Sequence, residues 1–125
     1  MILVDTSVWI DHLRNNEPIL AKLLLQNKVL CHHFVRGELA LGNLQQRNMI
    51  LTALENLPQA PLVFTEEVNF FIESHQLFGL GIGYVDVHLL ASTRLMGNAR
   101  LWTRDKRLLS VATRLKLAAN VEALN

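Results

Sequence analysis

The chain opens "MILVDTSVWIDHL" (residues 1–13), and the reading of this stretch decides the fold. Residues 1–4 are apolar without a break, which suits a short strand buried on both faces rather than one with a wet side. Asp5 ends the run, and two hydroxyls, Thr6 and Ser7, follow it. A surface turn accounts for such an acid. So does a carboxylate at the carboxyl edge of a parallel sheet, where ligands collect. One acid does not choose between them, so the reading depends on whether other acids occupy matching places.

Working outward, the pattern alternates. Residues 8–14 read as a short helix that Thr6 or Ser7 can cap. Residues 17–27 read as a helix with Pro18 in its first turn, and residues 29–31 as a second strand. Helices follow over 34–41, which carries Glu38, and over 45–57, stopped by Pro58. Residues 62–64 suit a strand. Thr65 suits an N-cap ahead of Glu66 and Glu67, starting a helix that runs to about Phe78. The glycine-rich "GLGIG" (residues 79–83) connects to a helix over 85–96 bounded by Gly97. A strand over 100–103, a helix over 105–116 and a last short strand over 119–123 complete the chain. Strands alternating with helices imply a parallel sheet covered on both faces, a three-layer α/β/α sandwich, and 125 residues are most simply a single domain, residues 1–125.

Four acids then fall at related places. Asp5 closes the first strand, Glu38 lies on the helix after the second, Asp86 opens the helix after the glycines, and Asp105 follows the strand "RLWT". If they meet, they need a counter-ion, because two carboxylates 4 Å apart repel by about 4 kcal/mol at an effective dielectric near 20. An all-oxygen donor set favours Mg²⁺ or Mn²⁺, and Mg²⁺ commonly shares its shell with phosphates. Each acid also has a plainer reading: Asp5 and Asp105 as helix N-caps, Asp86 as a first-turn acid, Glu38 as a surface residue.

The net charge of +1 conceals a contrast. Residues 48–93 hold five acids and no Lys or Arg, whereas residues 94–116 hold seven bases against one acid. A basic block of this kind attracts phosphates, although a solvated helix face explains it as well. Arg104, Lys106 and Arg107 are the candidates to touch such phosphates. The five histidines show no zinc-ligand spacing, and Trp9, Phe34, Phe70, Phe71 and Trp102 suit a core or an interface better than a stacking platform. Cys31 is alone, so an internal disulfide and a CxxC zinc site are both excluded. No apolar run reaches membrane-spanning length, and residues 1–30 show no export-signal pattern. The expectation is a cytoplasmic protein without a membrane partner.

Taken in order, "VDTSVWID" with Asp5, "RGELALG" with Glu38, "YVDVHLLAS" with Asp86 and "LWTRDKRL" with Thr103 and Asp105 resemble the motifs of PIN-domain ribonucleases, above all the VapC-type toxins of bacterial toxin–antitoxin pairs. The resemblance covers nearly the whole chain. It implies that Asp5, Glu38, Asp86 and Asp105 hold Mg²⁺ or Mn²⁺, with Thr6 or Ser7 and Thr103 orienting ligands or waters. It implies metal-dependent hydrolysis of single-stranded RNA, inhibition of translation, a cognate antitoxin and a homodimer. The apolar stretch over 20–27 suits an antitoxin groove or a dimer contact. One departure is His88, where an additional acid would stand two residues after Asp86. Competing classes are a PIN-like RNA-processing nuclease outside a toxin–antitoxin pair, an acidic-pocket phosphotransfer domain and a binding-only module. A dehalogenase-like phosphatase wants an acid where Ser7 stands, and no GxxxxGK[ST] loop is present.

Overall fold

The computed structural model describes residues 1–124. Three parallel strands form its sheet in the order β2-β1-β3, with β1 (Ile2–Val4) central, β2 (Val29–Leu30) on one side and β3 (Arg100–Trp102) on the other. Ile2 pairs with Val29 and Arg100, and Val4 with Trp102. Single-residue parallel bridges widen both edges: Gln59 beside Cys31, and Ala118 beside Leu101. The full apolar run of β1 is buried, as a strand covered on both faces requires.

Eight helices among the described residues cover this sheet. Between β1 and β2 run α1 (Thr6–Asn15) and α2 (Pro18–Leu25). Between β2 and β3 run α3 (His33–Ala40), α4 (Arg47–Glu55), α5 (Thr65–Ser74) and α6 (Tyr84–Met96). After β3 come α7 (Lys106–Arg114) and the single turn α8 (Val121–Leu124). Helices α1, α3 and α4 pack on one another in sequence, while α5 packs on α6 and α6 on β3. The architecture is the α/β sandwich that the alternating pattern predicts. Residues 87–93 of α6 are buried on every side, which explains why this helix carries so weak an amphipathic signal.

Several local expectations change. Residues 62–64 form no strand; the sheet gains Gln59 instead. Ala118, not residues 119–123, provides the last bridge, and 121–124 turn helical. Helix α1 begins at Thr6 with Asp5 in the N-cap position, so neither Thr6 nor Ser7 caps it, and Phe64 rather than Thr65 precedes α5. Helices α5 and α7 stop earlier than their apolar patterns suggest, and the cause is shared. Gln76 and Lys116 take left-handed conformations at φ 53° and 61°. The Leu77 N–H then turns back to the Ile72 carbonyl at 3.0 Å, and Leu117 N–H to Ala112 at 2.8 Å. Each is a Schellman closure that satisfies free carbonyls and buries the following leucine. Asn27 and Lys28 end α2 in the same way.

The turn after β2 is fixed by His32, which is fully buried. Phe34 N–H donates to its Nδ1 at 3.0 Å, so the ring proton sits on Nε2 and points to Ser92 Oγ, 3.0 Å away on α6. Ser92 in turn donates to the Pro61 carbonyl at 2.7 Å. This relay caps α3, the helix that carries Glu38, and ties it to α6. Burial, reinforced by His88 and His33, pushes the His32 pKa from 6.5 down to about 4. The unfolded chain therefore takes up this proton first, so the stability His32 contributes is complete above about pH 6.5 and lost as pH falls toward 4. We expect the thermal midpoint to fall across that window, with proton uptake on unfolding. His32→Gln should be less stable at pH 7 yet show a shallower decline; an unchanged slope in calorimetric melts would count against the relay.

Candidate active site

Because the strands are parallel, their carboxyl ends share one edge, and the candidate residues enter from there. Asp5 leaves β1 with its N–H donating to the Trp102 carbonyl at 2.9 Å, which locks β1 to β3 at the site itself. Its residue surface is 5% exposed. Oδ2 accepts from Ser7 Oγ at 2.7 Å and from Thr103 Oγ1 at 2.7 Å. Each hydroxyl has one proton and each spends it on Asp5, so the 3.4 Å approach between the two hydroxyls is a contact, not a third bond. Both hydroxyls accept in turn: Ser7 Oγ from the Arg104 N–H at 3.0 Å, Thr103 Oγ1 from the Asp105 N–H at 3.1 Å.

The other three carboxylates are held by different means. Asp105 precedes α7 and accepts the Leu108 N–H on Oδ1 at 2.9 Å, so it is an N-cap as well as a site candidate. Asp86, in the first turn of α6, reaches back to the Gly83 N–H with Oδ2 at 3.0 Å. Glu38 on α3 accepts from Thr6 Oγ1 on Oε1 at 2.6 Å. Among the described residues, each carboxylate thus has one oxygen fixed by the protein, while Oδ1 of Asp5, Oδ1 of Asp86, Oδ2 of Asp105 and Oε2 of Glu38 accept no bond. Asp105 and Glu38 face water, Asp86 is half-buried and Asp5 is buried.

Asp86 is where the shared field is felt. Its pKa is raised above the ordinary carboxylate value by burial first, and further by the charges of Asp5, Asp105 and Glu38, against the lowering effect of the Gly83 bond. Three acids remote in sequence therefore influence the proton of a fourth. Among the described residues, no three His, Cys, Asp or Glu side chains draw together closely enough to enclose an ion unaided. A hydrated divalent cation suits such spaced, hard oxygen donors, since Mg²⁺ retains several waters and takes only one or two carboxylates directly. The donor set fits Mg²⁺ or Mn²⁺ and offers no thiolate or imidazole group for zinc.

The surroundings sort the remaining candidates. The guanidinium of Arg104 is engaged by Asp11 and Glu17, two acids that sequence reasoning passed over because their partner lies about 90 residues away. Lys106 is exposed, and Arg107 lies across Gly81, where an added Cβ would come within 2.7 Å of its guanidinium. The rest of the basic block disperses: Arg114 donates to the His75 carbonyl, and Arg94 lines a cavity of about 580 Å³ between α5 and α6, to which Asp5, Glu38, Asp86 and Asp105 contribute nothing. A second cleft, of about 560 Å³, opens beside Glu38 between α1, α3 and α4. His88 is buried, with Phe34 and Tyr84 edge-on at 4.9 and 4.7 Å and, among the described residues, no partner for Nδ1. Trp9, Phe71 and Trp102 are core, whereas Phe70 is 74% exposed. In residues 20–27, Leu20 and Leu23 are buried, and of the apolar side chains only Leu25 stands well out, at 86%.

A carboxylate with a raised pKa in the folded state costs stability as pH rises through that pKa. Removing the charge at Asp86 while keeping an acceptor for Gly83 should therefore stabilise the cation-free protein. We expect Asp86→Asn to melt roughly 1–4 °C higher than wild type in chelator at pH 7–8. The two should converge near pH 4, as followed by circular dichroism; a lower midpoint for the variant at pH 8 would contradict the shared field.

No family model matches the chain. Curated relatives do: Ribonuclease VapC32 of Mycobacterium tuberculosis strain CDC 1551 / Oshkosh and Ribonuclease VapC32 of strain ATCC 25618 / H37Rv are each 52% identical over 108 residues, which is 86% of this chain and 87% of the relative. Identity of that order over most of both chains places the protein: the chain belongs to the VapC-type toxin ribonucleases, the PIN-domain family its sequence resembles.

Proposed function

We propose that this chain is a Mg²⁺- or Mn²⁺-dependent endoribonuclease that hydrolyses phosphodiesters of single-stranded RNA and, as the toxin of a toxin–antitoxin pair, inhibits translation. The observation that carries the reading is the set of four carboxylates at one sheet edge, each with one oxygen tied to the protein and one left unbonded. Kinship with the VapC ribonucleases supports the reaction class.

Asp5, Asp86, Asp105 and Glu38 are the residues that would hold the cation. Such an ion, when bound, stabilises the charge that builds on a phosphoryl group under attack and makes a nearby water more acidic. The protein's own contribution is orientation. Ser7 and Thr103 fix the plane of the Asp5 carboxylate, so that its unbonded oxygen has one direction rather than many. Thr6 does the same for Glu38. Asp86 holds its proton more firmly than an ordinary aspartate, so cation uptake competes with that proton and weakens as pH falls. Lys106 and Arg107, at the start of α7, stand beside Asp105 to attract the RNA backbone. Pairing with a cognate antitoxin and with a second copy is supported by the same kinship and is part of this reading. The phosphotransfer alternative loses its footing here, since the place of its second acid is taken by Ser7, whose proton is committed to Asp5.

Purified protein is expected to cut single-stranded RNA in Mg²⁺ or Mn²⁺ and to stop in chelator. Asp5→Ala, Asp86→Ala and Asp105→Ala should each lower the rate at least about 100-fold, the scale of losing a few kcal/mol of transition-state stabilisation. Folded wild-type protein that cleaves equally well in chelator, or three alanine variants that retain full activity, would remove the basis of the assignment.

A further inference from the structure

Arg104 reads in sequence as a phosphate contact, and its place in the structure argues otherwise. One terminal nitrogen of its guanidinium donates to Asp11 on α1 and the other to Glu17 at the head of α2. The guanidinium carbon also lies 5.9 Å from the centre of the Trp102 ring. Two carboxylates against one guanidinium leave this spot with a net negative charge, which repels rather than recruits a phosphate. The anchors are themselves held. The Glu17 side chain is 17% exposed, its Oε1 accepts the Ile19 N–H at 3.2 Å, and its own N–H donates to His12 Nδ1 at 3.0 Å.

The main chain of the same residue belongs to the acidic site. The Arg104 N–H occupies an acceptor position of Ser7 Oγ, which keeps the Ser7 proton aimed at Asp5. Thr103 before it donates to Asp5, and the Asp105 N–H after it donates to Thr103. One residue is therefore gripped at its side-chain end by Asp11 on α1 and Glu17 at the head of α2, and at its main-chain end by the network around Asp5. A planar fork can span two carboxylates at once; an ammonium on a flexible stem makes no such bridge.

We propose that Arg104 is a positioning residue that fastens the 103–105 segment to α1 and the head of α2, holding the Thr103 hydroxyl and the Asp105 carboxylate in register with Asp5, and that it does not bind RNA. The kinetic consequence rests on the ribonuclease reading; the structural consequence does not.

The double variant Asp11→Asn/Glu17→Gln separates the two roles because they respond with opposite sign. It frees the guanidinium, so an RNA-binding Arg104 would lower KM and steepen the salt dependence by about one unit of slope. A positioning Arg104 loses its anchors instead. We expect kcat to fall about 10-fold, the scale of removing a partner one step back from a site, with KM little changed. The Arg104 and Asp105 amides should exchange faster with solvent. Arg104→Lys, which keeps charge without the fork, should behave like Arg104→Gln. Asp11→Asn alone, which disturbs no helix cap, should shift kcat and exchange in the same direction and serves if the double variant melts too low to assay. Lower KM with kcat intact, or unchanged exchange at residues 104 and 105, would overturn the proposal. If the wild-type protein cuts no RNA at all, the ribonuclease reading fails and amide exchange alone decides this one.

Discussion

Asp5 places a carboxylate almost out of water at the junction of two strands, and burying such a group is costly unless hydrogen bonds replace its hydration. The replacement comes from two hydroxyls far apart in the sequence, Ser7 two residues after Asp5 and Thr103 98 residues after it. That requirement constrains everything nearby. β3 has to run parallel to β1 and in a register that delivers Thr103 at the level of Asp5, and the Asp5 N–H to Trp102 carbonyl bond sets that register. The turn after β3 then has to begin α7 at residue 106, because Asp105 donates its N–H to Thr103 and caps α7 with its side chain. Electrostatics and topology are in this sense one constraint.

How much of this was legible in the sequence depends on the range of the cause. The apolar run of β1, the stop at Gly97 and the acids that follow strands are local signals, and they gave the α/β arrangement and the four acids to examine. The ends of α5 and α7 were misread because Gln76 and Lys116, rather than glycines, adopt the left-handed conformation, and nothing in the apolar period marks that. The bridges at Gln59 and Ala118 are single residues and leave no alternation to detect. Thr6, Ser7 and Thr103 were visible as hydroxyls near acids. That they direct their protons at Asp5 and Glu38 is a fact of tertiary geometry. The partners of Arg104 were invisible for the same reason: Asp11 and Glu17 are ordinary helix acids until the chain returns to them.

The charge contrast along the chain also changes meaning once folded. Seven bases against one acid suggest a continuous patch, yet α7 is about 14 Å long at 1.5 Å per residue, so Arg114 and Lys116 lie far from Asp105. What remains at the acidic edge is Lys106 and Arg107, with Arg104 neutralised. The same edge holds four carboxylates, and burial first, then the charges of the other three, raises the proton affinity of Asp86. Cation-free, this edge is set up against its own charges, and the hydrogen bonds from Ser7, Thr6, Thr103 and Gly83 are what keep it assembled.

The bond between Thr103 and Asp5 spans 98 positions of the chain. Contacts of that range form late, because a long loop must close before they contribute anything. A growing polypeptide that has not yet produced residue 103 carries Asp5 without one of its two hydroxyl partners and without the strand that registers it. The acidic edge is thus a property of the nearly finished molecule, so a chain interrupted midway is chemically incomplete, and whatever the site does begins only when the two ends of the sheet have met.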